Sequence, residues 1–360
     1  SACLVGSEMC IRDRYWPTES STPSPYRLEQ SRPEDYPAMS LFHNIQNQNL
    51  LEECPVGIDS HQWELFRTNY QRAGRFQQLE SPVQLDIELN GGCNMKCPFC
   101  LHGYENRPNT LMPIERYKRL IDEAVAFGVR GLKLNYINEP MLRKDLEQCI
   151  SYAKSAGMLN VYMVTNGTLL NDKRRDSMLN CGITKVFISV DAATSETYDK
   201  QRLSGKFNLV VKNILDFVEE RNRRGLTYPL VRVSFVRNAL NIHEEEDFRK
   251  FWKDKVDIIA FQMMTELPDL NSGLTIKKQV NETKGCTFPF KQLVVDYEGD
   301  ILPCCKMGGK KLLLGNIDSM TLQEAWSSDK MRDLQLMHKN NRWHENPVCD
   351  RCISGPDAEA

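Results

Sequence analysis

The sequence has no run of apolar residues approaching the about eighteen that cross a bilayer, so no membrane span is expected. It has almost no net charge: 46 Lys and Arg face 48 Asp and Glu, a formal balance of -2. Without a basic field there is no electrostatic footprint for nucleic acid. No charged-then-apolar leader is present, which leaves export unsupported and makes a cytoplasmic protein the expectation. Histidine is scarce, at 6 residues, and His61, His102 and His243 show no metal-ligand spacing. Cysteine, by contrast, is plentiful, at 13 in 360 residues. In a short secreted chain that would indicate disulfides. In a long chain without a leader, clustered thiols more often bind metal.

Residues 1–14 are set aside. The segment "LVGSEMCIRD" (Leu4–Asp13) is what a transposon-end sequencing adapter would encode, so it is expected to be an artefact. That removes Cys3 and Cys10 from the count, and 13 − 2 leaves eleven cysteines. Residues 15–38 are rich in Pro, Ser and Glu and read as a loop or disordered arm. Residues 40–80 look weakly helical, and 15–82 together form an N-terminal extension.

From Val83 a repeating beat begins. Apolar runs "VQLDIEL", "GLKLNYI", "VYMVTNG", "KVFISVD", "LVRVSFV" and "IIAFQMM" alternate with amphipathic helices, several of which end at Gly. Six strand–helix alternations predict an α/β fold with a parallel sheet and right-handed crossovers, a partial (β/α)6 barrel over 83–265. In such folds the chemistry gathers at the strand C-terminal ends. The beat stops near Asn271. Within 271–360, "GCTFPFKQLVVDYEGDILPCC" predicts a hairpin turning at "YEGD", and "TLQEAWSSDKMRDLQLMHKN" predicts helix.

The loop "CNMKCPFC" (Cys93–Cys100) follows the first of these strands and has spacing C-x3-C-x2-C. A structural zinc site wants four closed ligands. Three thiolates from one loop leave a coordination position open. On a [4Fe–4S] cluster, one iron would then be free to bind a small molecule.

With this signature, and with the aromatic Phe99 just before its third cysteine, the sequence resembles the radical S-adenosylmethionine (radical SAM) superfamily. The resemblance implies that the open iron chelates the amino and carboxylate groups of S-adenosylmethionine. One electron then cleaves the cofactor to methionine and a 5′-deoxyadenosyl radical, which takes a hydrogen atom from substrate. The family's "GGE" motif corresponds here to "INEP", which keeps Glu139 and loses both glycines. A carboxylate there accepts hydrogen bonds from the cofactor's amino group. By the same resemblance, Thr165 and Asn166 in "VTNG" serve its methionine or ribose end. Ser189 and Asp191 in "ISVDAAT" resemble ribose and carboxylate contacts, and Arg202 in "YDKQRLSG" resembles the family's carboxylate-binding arginine. Cys149 and Cys181 read as packed thiols, and Cys54 is given no role.

A second group comprises Cys286, Cys304, Cys305, Cys349 and Cys352. The pattern C-x12-G-x4-C…C-x2-C resembles the SPASM/twitch extension of radical SAM enzymes, with Gly299 turning the hairpin. The full SPASM pattern has a further cysteine where this chain has Ala358. The resemblance implies one auxiliary [4Fe–4S] cluster on Cys286, Cys304, Cys349 and Cys352. The bare spacing also admits a four-cysteine zinc ribbon. Neighbouring strand residues point to opposite faces, so Cys305 is left as a packed thiol or a hydrogen-atom donor to a substrate radical.

The expectation is therefore a radical SAM oxidoreductase, epimerase or peptide-modifying enzyme. It would take electrons from a flavodoxin- or ferredoxin-type donor and act on a small, carbohydrate-like molecule or a peptide. The alternative is an iron–sulfur electron-transfer or zinc-binding scaffold without S-adenosylmethionine chemistry, which the missing glycines before Glu139 favour.

Overall fold

The computed structural model describes residues 42–104, 107–203, 206–265, 272–276, 285–305 and 307–354. The adapter-like stretch 1–14, the arm at 15–38 and Ala358 lie outside the described residues.

Strand β1 (Phe42–Gln46) precedes the six strands of the repeating beat. Those are β2 (Gln84–Ile87), β3 (Gly131–Lys133), β4 (Asn160–Thr165), β5 (Lys185–Ser189), β6 (Leu230–Arg237) and β7 (Ile258–Met263). Each of the six is parallel to its neighbour, in the order β7-β6-β5-β4-β3-β2. Helices cross over between them, as an unclosed, partial (β/α)6 barrel requires.

Alternation along each strand sorts the side chains to two faces. Leu85, Ile87, Val161, Met163, Val186, Ile188, Val231 and Val233 join the apolar core under the helices. The opposite set is polar and packs against itself. Lys133 pairs with Asp86, Tyr162 Oη donates to Gln84 Oε1 at 3.1 Å, and Lys185 Nζ donates to Asn160 Oδ1 at 2.8 Å. Arg232 lies over the Phe187 ring at 3.5 Å.

Strand β3 is shorter than the run "GLKLNYI" suggests. Asn135 Oδ1 accepts from the Val164 N–H at 2.9 Å, so a side chain takes over the ladder and the backbone turns towards residues 136–139.

The N-terminal extension departs from the helical expectation. Phe42–Gln46 is a strand, antiparallel to β7 at the sheet edge. Only Ser60–Gly74 is a long helix there, and Asp59 caps it by accepting from Gln62 N at 2.8 Å. Its Trp63 and Phe66 pack with Val83 and Leu159, the residues that lead into β2 and β4. The helix therefore covers the N-terminal end of the barrel and leaves the C-terminal end for chemistry.

The expected C-terminal hairpin is present and joins the same sheet. Strand β8 (Gln292–Val295) runs parallel to β2, β9 (Asp300–Leu302) folds back on β8, and β10 (Gly315–Asn316) pairs with β9. Gly299 turns the hairpin at φ +96. A Cβ there would also come within 2.9 Å of the Arg116 guanidinium carbon. The helical run at 321–340 divides into Leu322–Trp326 and Asp329–Lys339, because Ser328 caps the second piece by accepting from Met331 N at 3.3 Å. The last helix, Pro347–Ser354, carries Cys349 and Cys352 three residues apart on one face.

Candidate active site and cluster cysteines

Cys93, Cys97 and Cys100 leave β2 on one loop and line a cavity of ≈ 290 Å³ at the C-terminal ends of the strands. Glu139, Thr165, Asn166, Ser189 and Arg202 line the same cavity. The loop is held from both sides. The Cys100 N–H donates to the Cys97 carbonyl at 3.1 Å. Asn94, inside the signature, accepts from Asn166 Nδ2 at 2.7 Å and donates to Thr168 Oγ1 at 2.8 Å. Asn166 thus ties the end of β4 to the cysteine loop, a contact its place in "VTNG" did not disclose. Burial pushes the Cys93 thiol up to about 12 and Cys100 to about 11.

Glu139 is buried, with both carboxylate oxygens engaged. Oε1 accepts from Thr165 Oγ1 at 2.6 Å and Met141 N at 3.1 Å; Oε2 accepts from Asn166 N at 2.7 Å. A carboxylate has about four acceptor positions, so Oε2 retains one for a cationic ligand in the cavity. Desolvation raises the Glu139 pKa against these three donors, and a bound ammonium would relieve that cost. The residues replacing the family's glycines have work of their own. Asn138 Nδ2 donates to Asn90 Oδ1 at 2.8 Å, and the Ile137 N–H donates to Glu88 Oε1 at 3.0 Å. Glu88 in turn binds Arg107 through both oxygens, at 2.9 and 2.7 Å. Of the two, only the Asn138 side chain adds a brace that a glycine would lack; the Ile137 bond is made by the backbone.

Arg202 ends the helix Ser195–Arg202. One guanidinium nitrogen lies 3.6 Å from Cys97 Sγ and the other pairs with Asp191. Its Nε is buried with no partner among the described residues. Asp191 stands behind Arg202 and is not among the residues lining the cavity. It is fully buried, sits at φ +61, and accepts from Val236 N at 2.7 Å. The structure therefore uses Asp191 to hold Arg202.

The second cysteine group assembles next to the hairpin. Burial pushes Cys286 up to about 12, with Cys352, Cys349 and Cys305 adding to the effect, so these four thiols share one neighbourhood. Cys304 and Cys305 both bear on Tyr136, which lines the cavity. Strand β9 ends at Leu302, so the "PCC" pair lies beyond it, and the expectation that strand alternation separates the two thiols does not apply. His338, 52 residues from Cys286, accepts from the Cys286 N–H through Nδ1 at 3.1 Å. Burial pulls its pKa to about 4, so the ring is neutral and Nε2 carries the proton. No local signal marked this histidine. Cys149 and Cys181 are buried, as packed thiols should be, and Cys54 lies with the apolar contacts of the Ser60–Gly74 helix.

Ligand spacing bears on the choice between zinc and a cluster. A zinc ion with about 2.3 Å bonds draws its sulfurs to roughly 3.8 Å of one another. Among the described residues, no three cysteine sulfurs lie within 4.8 Å of one another. The residues that do meet this limit are Asp296, Glu298 and Asp300, and Lys310 Nζ already pairs with the first two at 2.9 and 3.0 Å. The open three-thiol loop, the free acceptor position on Glu139 and the orphaned Arg202 nitrogen fit a cluster whose ligand brings both an amine and a carboxylate.

Fold and site together define an iron–sulfur protein with a small-molecule position beside its cluster loop. Residues 87–259 match the model of the radical SAM superfamily, and residues 286–353 match that of the SPASM iron–sulfur cluster-binding domain. The chain belongs to the radical SAM superfamily and carries a C-terminal SPASM domain; its cofactors are iron–sulfur clusters and S-adenosylmethionine. It is similar to the probable GTP 3′,8-cyclase of Methanococcus maripaludis, with 31% identity over 134 residues, 37% of this chain and 44% of the relative. The chain spans about half the length of the cyclases it matches, 44% and 55% in two of them. It is also similar to the S-adenosyl-L-methionine-dependent 2-deoxy-scyllo-inosamine dehydrogenase of Niallia circulans. That identity is 21% over 281 residues, 74% of this chain and 91% of the relative. Among solved structures, native anSMEcpe with bound AdoMet and Cp18Cys peptide aligns with TM-score 0.57 and 18% identity, covering 77% of this chain and 91% of that one. Among the described residues no helix is long and apolar enough to cross a membrane.

Proposed function

We propose that the chain is a radical SAM oxidoreductase or epimerase acting on a small, carbohydrate-like substrate. A [4Fe–4S] cluster held by Cys93, Cys97 and Cys100, with S-adenosylmethionine bound, supplies the 5′-deoxyadenosyl radical for hydrogen abstraction. The observation that carries the reading is the convergence in one cavity of that loop, Glu139 and Arg202. Glu139 Oε2 receives the cofactor's amino group. Arg202, aligned by Asp191, faces its carboxylate, and Thr165 and Ser189 offer hydroxyls to the remainder. Asn166 keeps the cysteine loop in register with β4.

Cys286, Cys349 and Cys352, with one thiol of the "PCC" pair, hold an auxiliary [4Fe–4S] cluster. The G-x4-C spacing supports Cys304 as its fourth ligand, with Cys305 the candidate hydrogen-atom donor; the influence of Cys305 on Cys286 supports the reverse division. Electrons come from a flavodoxin- or ferredoxin-type donor. Similarity to the inosamine dehydrogenase along 91% of its length supports the carbohydrate-like substrate. A peptide substrate is the second reading, supported by the fold shared with the peptide-bound anSMEcpe.

The test is turnover of aminocyclitols and short peptides by reduced protein in deuterated water. Dehydrogenation yields a product lacking two hydrogens and carrying no solvent deuterium at the reacting carbon. Epimerisation yields an isomer with one solvent deuterium. In a parallel run in ordinary water with substrate deuterated at the reacting carbon, deuterium should appear in 5′-deoxyadenosine in both cases. Turnover without such transfer would remove the hydrogen-abstraction reading.

A further inference from the structure

One residue of the cavity has chemistry that the proposed reaction leaves unused. His102 follows the third signature cysteine by two residues, on the short turn Leu101–Gly103. It lines the cavity and is 6% exposed. Neither ring nitrogen has a hydrogen-bond partner among the described residues. Buried polar atoms are nearly always bonded, and an orphan requires an explanation. An imidazole carries at least one N–H in either neutral tautomer, so this site holds a donor without an acceptor.

The surroundings narrow the missing acceptor. Both nitrogens are buried. The Cys100 sulfur already takes the backbone N–H of His102, which sets this residue against the cysteine loop. Cys93 and Cys97 open on the same cavity. A group bound by these cysteines would bring sulfurs, which accept hydrogen bonds and offer none. A half-turn of the ring exchanges its nitrogens for carbons in the same space, so an N–H can face that group without repacking.

Resting on the cluster reading above, we propose that His102 donates a ring N–H hydrogen bond to a sulfur of the cluster held by Cys93, Cys97 and Cys100, and so sets its reduction potential. The reduced cluster carries one more negative charge than the oxidised one. A donor aimed at its sulfurs favours the reduced form and raises the potential, as such bonds do in iron–sulfur proteins generally. The Arg202 orphan differs: it lies at the end of the cavity assigned to the cofactor's carboxylate.

The test uses the full chain with its clusters reconstituted and histidine 15N-labelled in the imidazole ring only, because the backbone N–H of His102 already meets the Cys100 sulfur. Pulsed EPR of the reduced protein without S-adenosylmethionine should show a 15N coupling to the cysteine-loop cluster. The coupling should vanish in His102→Leu, which separates it from His338. The cluster's midpoint potential should be more negative in His102→Leu and recover towards wild type in His102→Gln, whose amide is a donor, with iron content equal in all three. A coupling that appears only after S-adenosylmethionine is added would make His102 a cofactor contact and overturn the proposal. An unchanged potential in His102→Leu would also overturn it. Should His102→Leu lose iron, the wild-type coupling and His102→Gln still decide. Absence of iron from the wild-type loop would be a failure of the cluster reading, visible before any of these comparisons.

Discussion

Glu139 and Lys185 are both buried ionisable residues, but the cavity uses only the first. Glu139 lines it with one acceptor position to spare; Glu139→Gln loses the charge, and because its amide accepts at only one of the two positions, either the Asn166 N–H or the Met141 N–H also loses its partner. Removing one charge-assisted hydrogen bond should weaken S-adenosylmethionine binding roughly tenfold to a hundredfold, about 1.5–3 kcal/mol. Equilibrium binding to the reconstituted protein measures this; unchanged affinity with full iron content would take Glu139 out of the cofactor site. Lys185 has no such task. Burial, with Arg67 and Arg232 nearby, pulls its pKa from 10.5 to about 7, and Asn160 is its hydrogen-bond partner. A lysine whose folded pKa lies below its unfolded value binds fewer protons when folded. Its contribution to stability therefore rises with pH from about 7 to 10.5, and the penalty is complete below about 7. Lys185→Met should stabilise the protein near pH 7 by on the order of a few kcal/mol, an advantage that fades towards pH 10.5. Denaturation of both proteins across this range checks the sign. An advantage that grows with pH would contradict it.

At the scale of elements, the path into the SPASM domain depends on a close backbone approach. Gly285 sits at φ +95, and a Cβ there would lie 2.6 Å from the His338 carbonyl oxygen. Gly285→Ala should push Cys286 and the Asp329–Lys339 helix apart, lowering auxiliary iron while the cysteine-loop cluster remains. Iron analysis with EPR separates the two, and full auxiliary iron in the variant would mean that this contact yields cheaply. The parallel strands were legible because each buries an apolar face at period two, and the hairpin because "YEGD" is a local turn signal. The cysteine loop was legible because its function lies in its spacing. Strand β1 was not, since Asn47 Nδ2 meets the Asp257 carbonyl 210 residues away and nothing local announces that pairing. His338 was hidden for the same reason, as its partner is a backbone N–H on another element. The bond from Asn166 to Asn94, 72 residues away, was likewise not legible in "VTNG".

At the scale of the molecule, one continuous sheet of order β1-β7-β6-β5-β4-β3-β2-β8-β9-β10 carries both cysteine groups. β2 precedes the signature loop, and β8, beside it, leads through the hairpin to "PCC". Reconstituted protein should hold about eight irons per chain in two four-iron clusters. Cys304→Ala and Cys305→Ala should differ: one should lose about four irons, and the other should keep about eight. Equal iron in both would remove the idea that the pair is divided between ligand and spare thiol.

The central claim is that the signature loop makes this chain cleave S-adenosylmethionine, and release of 5′-deoxyadenosine by the anaerobically reduced protein tests it most directly, since uncoupled cleavage needs no knowledge of the substrate. The wild type should form 5′-deoxyadenosine and methionine in equal amounts. The triple replacement of Cys93, Cys97 and Cys100 by Ala should form neither while retaining about four auxiliary irons. Cleavage that survives the triple replacement, or its absence from wild type holding about eight irons, would contradict the account.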